Sequence, residues 1–333
     1  IYEALAQEYE ALSESKVEYL FDAAETFRRT ARLDKAIELS VKAARYAVEK
    51  AAYELAINYF RNALSMLGQI CKTGSTIRVD KREIELALAE ALMLNGKYEQ
   101  ALLLYNNHSI KREGNSIEDC EIIFKVGCIH LNIGEYLQAQ DCFRKALVML
   151  GIPFCTEKSG FPFNTFVQLL IHLSLSTPVK WLMKKKDDPR KRLAVKILNK
   201  YSYALYYTDI SSCFYPHFLA LNISKTLPDC AEKMEISQQH VIIAYQIYIK
   251  CKVFGKVDRI FDYIKKSGNK KLIASTKAIS GILHYYRANW KTAEDTLLES
   301  IGEFKANGDY LNQILCLEHL WKIHFLKGDL SRA

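Results

Sequence analysis

The sequence predicts an all-α chain built of repeated helical hairpins, and three observations carry that expectation. Only 14 Gly and 6 Pro punctuate 333 residues, which leaves room for long helices joined by short turns. A step of five residues between small side chains, as in "GKYEQA" (Gly96 to Ala101) and "GEYLQA" (Gly134 to Ala139), recurs along the chain. No stretch sustains the alternation of apolar and polar residues that marks a half-buried strand.

The step returns as "GDLSRA" (Gly328 to Ala333), "ARLDKA" (Ala31 to Ala36) and, more loosely, "GKVDRI" (Gly255 to Ile260). A further small residue precedes most copies by twelve positions: Gly127 before Ala139, Ala89 before Ala101, Ala24 before Ala36, Gly281 before Ala293. Two antiparallel helices approach closely where small side chains meet at the crossing, and the turn between them needs a residue that ends the first helix. An aromatic one turn after the second alanine, Tyr105 or Phe143, fills the groove that remains. On these residues the chain resembles the tetratricopeptide repeat, best in 120–153 and next in 274–307.

The elements follow in order. Hairpins are expected over 16–31 with 34–48, 82–94 with 97–107, and 119–132 with 136–150. Further on they are expected over 191–207 with 211–226, 236–252 with 255–267, 271–287 with 290–306, and 310–326 with a helix from Asp329. A helix over 52–68 has no evident partner. Between 151 and 190 the period breaks: "GIPFCTEKSGFPFNTF" carries aromatics (Phe154, Phe161, Phe163) that should pack on the repeats, an amphipathic helix over 164–183 follows, and then the run "KKKDDPRKR". The expected organisation is N-terminal repeats 1–150, an irregular basic insert 151–190, and C-terminal repeats 191–333.

Composition excludes several classes. Half the residues are hydrophobic and a quarter charged, as in a globular protein rather than a disordered one. No apolar run approaches the roughly 18 residues of a membrane-crossing helix; "VIIAYQIYI" (241–249) is closed by Lys250 and reads as a buried helix face. Nine Cys without a CxxC pair fit reduced thiols in a cytoplasmic protein. A first residue Ile1 reads as the start of a piece of something longer. The net charge of +8 permits an acidic partner, but its even spread argues against nucleic acid.

Chemistry-bearing motifs are weak. "GQICKTGST" (68–76) lacks the Lys and the spacing of a phosphate loop and reads as a polar turn. His319 with His324, and Cys213 with His217, lack third and fourth metal ligands. His130 and His284 fall at packing positions three residues after Gly127 and Gly281. Tyr201, Tyr203, Tyr206 and Tyr207 ring their helix rather than lining one face, which suits packing better than base stacking. Lys184, Lys185, Lys186, Arg190, Lys191 and Arg192 form the one candidate docking patch, for a phosphate-rich or acidic partner, against the plainer reading of a solvated loop before a helix. No catalytic, cofactor-binding or metal residues are assigned, and no cofactor is expected in this segment.

A finer resemblance rests on the order of features. The segment "AAETFRRTARLDKAIELSVKAARYAVEKAAYELAINYFRNALSML" (23–67) resembles the hairpin and tightly joined extra helix behind the ATPase module of STAND-type signalling ATPases. "MLGIPF" (149–154), the basic insert, a Tyr-rich helix and "GILHYYRANWKTAEDTLLESIGEFKANGDY" (281–310) follow as in the C-terminal half of soluble adenylyl cyclases. The resemblance implies a non-catalytic interaction region of a cAMP-signalling parent with class III adenylate cyclase domains, docking on its own catalytic half or on a protein partner. The inward positions Leu86, Glu90, Phe124, Cys128, Ala278 and Ile282 depart from the basic clamp of tetratricopeptide domains that hold peptide C-termini. The alternative is a stand-alone adaptor assembling a cytosolic or ciliary (flagellar) complex.

Overall fold

The turns set the hairpins. At Gly96 and Gly134 the backbone enters the left-handed region (φ 77° and 84°), and the next amide reaches back five residues. Lys97 N–H donates to the Leu92 carbonyl at 2.9 Å, and Glu135 N–H to that of His130 at 2.8 Å. The bond closes the preceding helix and reverses the chain. It forms equally where alanine stands at the reversal: Ala52 N–H to Ala47 O (2.8 Å) after Ala51, and Asn289 N–H to His284 O (3.0 Å) after Ala288. Ala51 and Ala288 sit at φ 58° and 59°, each five residues before a buried alanine, Ala56 or Ala293. Both are copies of the repeat step with alanine in place of glycine.

The computed structural model describes residues 1–30, 32–72, 80–109, 116–174, 185–251, 261–306 and 309–331, which are helical, turn or loop with no strand among them. They form two compact units, Ile1–Asn115 and Ser116–Ala333. The break expected at 150 falls inside the second unit.

The first unit contains α1 (Tyr2–Ser13), α2 (Tyr19–Arg28), α3 (Leu33–Glu49), α4 (Tyr53–Lys72), α5 (Lys81–Leu94) and α6 (Tyr98–Ser109). Each packs on the next in chain order. Helix α1 was not legible in the repeat spacing; it buries only Ala6 and lies on α2. The helix expected to stand unpaired is α4, and here the expectation fails. Ala56, Ile57, Phe60 and Ala63 are fully buried, and α4 packs on both α3 and α5. Its turn lacked the glycine that signals a hairpin because Ala51 makes the reversal instead.

The second unit holds α7 (Ile117–Asn132), α8 (Tyr136–Met149), α9 (Phe161–Ser174), α10 (Pro189–Tyr206), α11 (Phe214–Lys225), α12 (Ala231–Cys251), α13 (Lys270–Tyr286), α14 (Trp290–Ala306) and α15 (Tyr310–Lys327). Polar N-caps open several of them: Ser116, Asp188, Asn269 and Asp309 accept from amides two or three residues on. Residues 261–265 are helical as well, while the rest of the expected partner of α12 lies outside the described residues. No helix forms over 329–331, where one was expected to start.

The insert does not interrupt the packing. Helix α8 packs directly on α10, so the stack passes over residues 150–188, and α9 is set aside on α11. Phe154 and Phe161 join the core, with ring centroids 5.2 and 4.9 Å from Tyr215, whose hydroxyl accepts from Cys155 N–H at 2.8 Å. Phe163, expected to pack with them, points to solvent.

Candidate functional site

The packing residues of the repeat are buried as a set: Ala24, Ala36, Ala89, Ala101, Gly127, Ala139, Phe143, Gly281 and Ala293. The knob at the crossing, however, is not the second alanine. A Cβ on Gly127 would lie 2.6 Å from Phe143 Cε1, and one on Gly281 2.8 Å from Leu297 Cγ. Each glycine therefore forms a hole for the large side chain one turn beyond Ala139 or Ala293. Phe143 also reaches the following hairpin, its ring 6.4 Å from that of Tyr201 on α10.

That hairpin carries the surface on which an interaction reading rests. Tyr201 is in the core, but Tyr203, Tyr206 and Tyr207 at the end of α10 are each about half exposed. Core packing thus accounts for one of the four tyrosines and not for the others. Tyr207 stacks on Tyr136 of α8 with centroids 4.9 Å apart and planes 9° from parallel, and its hydroxyl lies 2.9 Å from that of Tyr203. From α13, Tyr285 and exposed Tyr286 meet the edge of His319 on α15. Tyr206 and Glu318 both bear on the ionisation of Tyr286, and Glu318 bears on that of Tyr207. Partial burial raises both phenols above their ordinary value, with the Tyr203 hydroxyl adding to the effect on Tyr207. These hydroxyls therefore stay protonated donors. Lys322, paired with Glu318 at 2.6 Å, completes the patch. It offers aromatic faces, hydroxyls and one ion pair, the equipment of a polypeptide contact rather than of a reaction.

The basic run behaves differently. Asp188 caps α10, accepting from Arg190 N–H and Lys191 N–H at 3.0 and 3.3 Å. Arg192 pairs with Asp187 at 2.6 Å and approaches Glu232 at 3.8 Å, so it is committed to the fold. Lys185, Lys186 and Arg190 are exposed, Lys191 is half-buried, and Lys184 lies outside the described residues. Of the inward positions, Ala278 and Ile282 are buried core, while Leu86, Glu90, Phe124 and Cys128 are half-buried.

Among the described residues thiols and imidazoles show no reactive arrangement. Burial pushes Cys128 and Cys316 up to about 12 and Cys213 up to about 11, which keeps them as neutral thiols. His319 Nδ1 lies 2.9 Å from the Leu315 carbonyl, and His130 Nδ1 is 2.6 Å from Glu135. Sequence spacing did not reveal one cluster. His217 of α11 is fully buried, with Nε2 3.1 Å from His240 Nδ1 on α12, and His172 of α9 lies against the same ring. Among the described residues no three His, Cys, Asp or Glu side chains are placed to hold a metal ion. The residues of the phosphate-loop-like turn after Lys72 lie outside the described ones.

No protein-family model matches the chain, and no curated protein does. Among solved structures the chain is similar to a Rap protein complexed with competence and sporulation factor, at 14% identity over 98% of this chain and 74% of that one, TM-score 0.48. It is also similar to the Rap conjugation gene regulator of the plasmid pLS20 in complex with the Phr* peptide, at 13% identity over 87% and 84%, TM-score 0.37. A third is the TPR domain of P58(IPK), at 14% identity over 98% and 93%, TM-score 0.24. No residue role is carried over from any of them.

Proposed function

We propose that this chain is a non-catalytic helical-repeat scaffold that holds a segment of another polypeptide on the tyrosine-lined surface of α10, α13 and α15. The observation that carries the reading is the half exposure of Tyr203, Tyr206 and Tyr207 at the end of α10 and of Tyr286 on α13. Large amphipathic rings held rigid by their neighbours supply contact area at little entropic cost. Selection of peptides from a displayed library tests it. The chain should select a sequence motif, and the pair Tyr206→Ala and Tyr286→Ala should weaken the selected peptide by about tenfold or more. Failure to select any motif, or binding unchanged by the pair, overturns the reading. Turnover of ATP by the isolated chain, to cyclic AMP or to ADP, does so as well.

The finer reading is that the scaffold belongs to a soluble-adenylyl-cyclase-like signalling ATPase. The order of features supports it: a leading hairpin with α4 tightly joined, a repeat closing on "LGIPF", the basic insert, and the Tyr-rich α10. The stand-alone adaptor, cytosolic or ciliary, has the same surface. The coding sequence ahead of Ile1 separates them, since only the first places class III cyclase domains and a P-loop there.

A further inference from the structure

Helix α9 is inside out. Its inward side carries buried Phe161 and half-buried Leu169, both packed in the core, and between and beyond them the polar Asn164, Thr165, Gln168 and His172, of which Gln168 and His172 are tied to α11. Asn222 of α11 donates to the Gln168 carbonyl and side-chain oxygen at 2.8 and 2.9 Å. Lys225, also of α11, donates to the His172 carbonyl at 2.9 Å and lies 3.0 Å from its Nδ1. The outward side is apolar. Phe163, Phe166, Leu170 and Leu173 are 72%, 58%, 50% and 56% exposed. Their spacing of three, four and three residues makes one unbroken stripe along the helix. An apolar face of this kind on a soluble protein marks an interaction site.

Charge says what kind. Between Glu157 and the pair Asp187 and Asp188 the sequence contains Lys158, Lys180, Lys184, Lys185 and Lys186 and no acidic residue. Lys185 and Lys186 are exposed, and Lys186 N–H donates to the Thr226 carbonyl at 3.3 Å. That places these lysines beside Lys225, and so beside the C-terminal end of α9. Helix α9 packs on α11 and on the short turn Lys158–Gly160, and α11 holds it by the polar side. Among the described residues the stripe is therefore a ridge and not a groove. A basic-flanked apolar ridge fits a soft, negatively charged plane.

We propose that α9 is an interfacial anchor for an anionic lipid surface. Phe163, Phe166, Leu170 and Leu173 insert at the boundary of headgroups and acyl chains, while Lys185 and Lys186 meet the lipid phosphates. No described helix is long and apolar enough to cross a membrane, and this mode of attachment requires none. One short ridge with few lysines gives reversible attachment that weakens with salt.

The test is co-sedimentation of the whole 333-residue chain with phosphatidylcholine vesicles, with and without phosphatidylserine. The chain should pellet with the phosphatidylserine vesicles and be released by added salt. The double variants F166E/L170E and K185E/K186E should each bind about tenfold or more weakly, with unchanged helical circular dichroism and melting. Y206A/Y286A should bind vesicles like the wild type, which keeps this outcome separate from that of the peptide surface. A wild-type chain that stays in the supernatant overturns the proposal, as do variants that pellet equally well. So does a chain that self-associates through α9 without vesicles and becomes monomeric in F166E/L170E, because the stripe then belongs to a second copy. Saturation of the stripe by an acidic amphipathic peptide, with no vesicle binding, overturns it in favour of a protein partner.

Discussion

Helices α8 and α9 are neighbours in sequence, and they obey opposite rules. Helix α8 turns Ala139, Phe143, Ala146 and Leu147 inward, all fully buried, as the repeat spacing requires. Helix α9 turns its amides and imidazole inward and Phe163, Phe166, Leu170 and Leu173 outward. The first is oriented by hydrophobic burial against its own hairpin partner. The second is seated by core contacts of Phe161 and Leu169 and by hydrogen bonds from Asn222 and Lys225, on a helix more than fifty residues away. An apolar side chain therefore does not have the same meaning in the two places, and substitution separates the meanings.

The largest effect is expected from Phe143→Ala. Phe143 fills the hole at Gly127 and touches Phe124 and Tyr201, so its loss opens a cavity where two hairpins meet. Urea unfolding should show a loss of about 3–5 kcal/mol. Phe166→Ser, the same ring removed from the exposed stripe, should stay within about 0.5 kcal/mol of wild type. Equal losses would mean that the stripe of α9 is covered by the chain itself, and the contrast between the helices would fail.

The histidine cluster where α9, α11 and α12 meet gives the next effect. Burial first, and then the neighbouring rings of His240 and His172, hold His217 well below its ordinary value of 6.5. Lys225 stands against the same cluster and adds to its positive charge on protonation. An unfolded chain takes up a proton near 6.5 that the folded His217 refuses, so its contribution is complete above that pH and falls below it. Stability should drop as the pH falls below 6.5, with His217 alone contributing a slope approaching about 1.4 kcal/mol per pH unit. His217→Phe should flatten the slope, leaving the smaller part due to His284 and His319, which burial also lowers. Urea midpoints collected across that pH range read the slope, and an unchanged slope in His217→Phe would remove the buried imidazole as its source.

What the sequence made legible follows from the range of the forces involved. Helix α8 was readable to its packing residues because period, turn and knob all lie within one hairpin. An amphipathic helix was expected over 164–183; α9 covers Phe161–Ser174, 175–183 lie outside the described residues, and the orientation of α9 was not readable, since Asn222 and Lys225 carry no sign in the sequence of what they hold. The His172, His217 and His240 cluster comes from three helices and has no spacing to find. The tyrosines of α10 were read as ringing the helix for packing, but Tyr203, Tyr206 and Tyr207 share one exposed side and only Tyr201 turns to the core. The pairing of α4 was missed for a local reason, and that reason can be tested.

Alanine at φ 58° (Ala51) and 59° (Ala288) carries out a reversal that glycine makes at Gly96 and Gly134. A Cβ in the left-handed region costs roughly 1–2 kcal/mol. Glycine gives back part of that gain through the greater freedom of the unfolded chain, about 0.5–1 kcal/mol. Ala288→Gly should therefore stabilise its unit modestly, by about 0.5–1 kcal/mol, and raise the melting temperature by a few degrees at most. Ala51→Gly should do the same in the first unit. Differential scanning calorimetry on each single variant reads the shift. A fall in either melting temperature would show that the alanine Cβ makes a contact worth more than the strain, and that its turn is not a glycine turn with the wrong residue. A rise in both would identify α3 with α4, and α13 with α14, as the same hairpin that Gly96 and Gly134 build elsewhere. The repeat would then be defined by the left-handed turn and the buried alanine five residues on, and not by glycine itself.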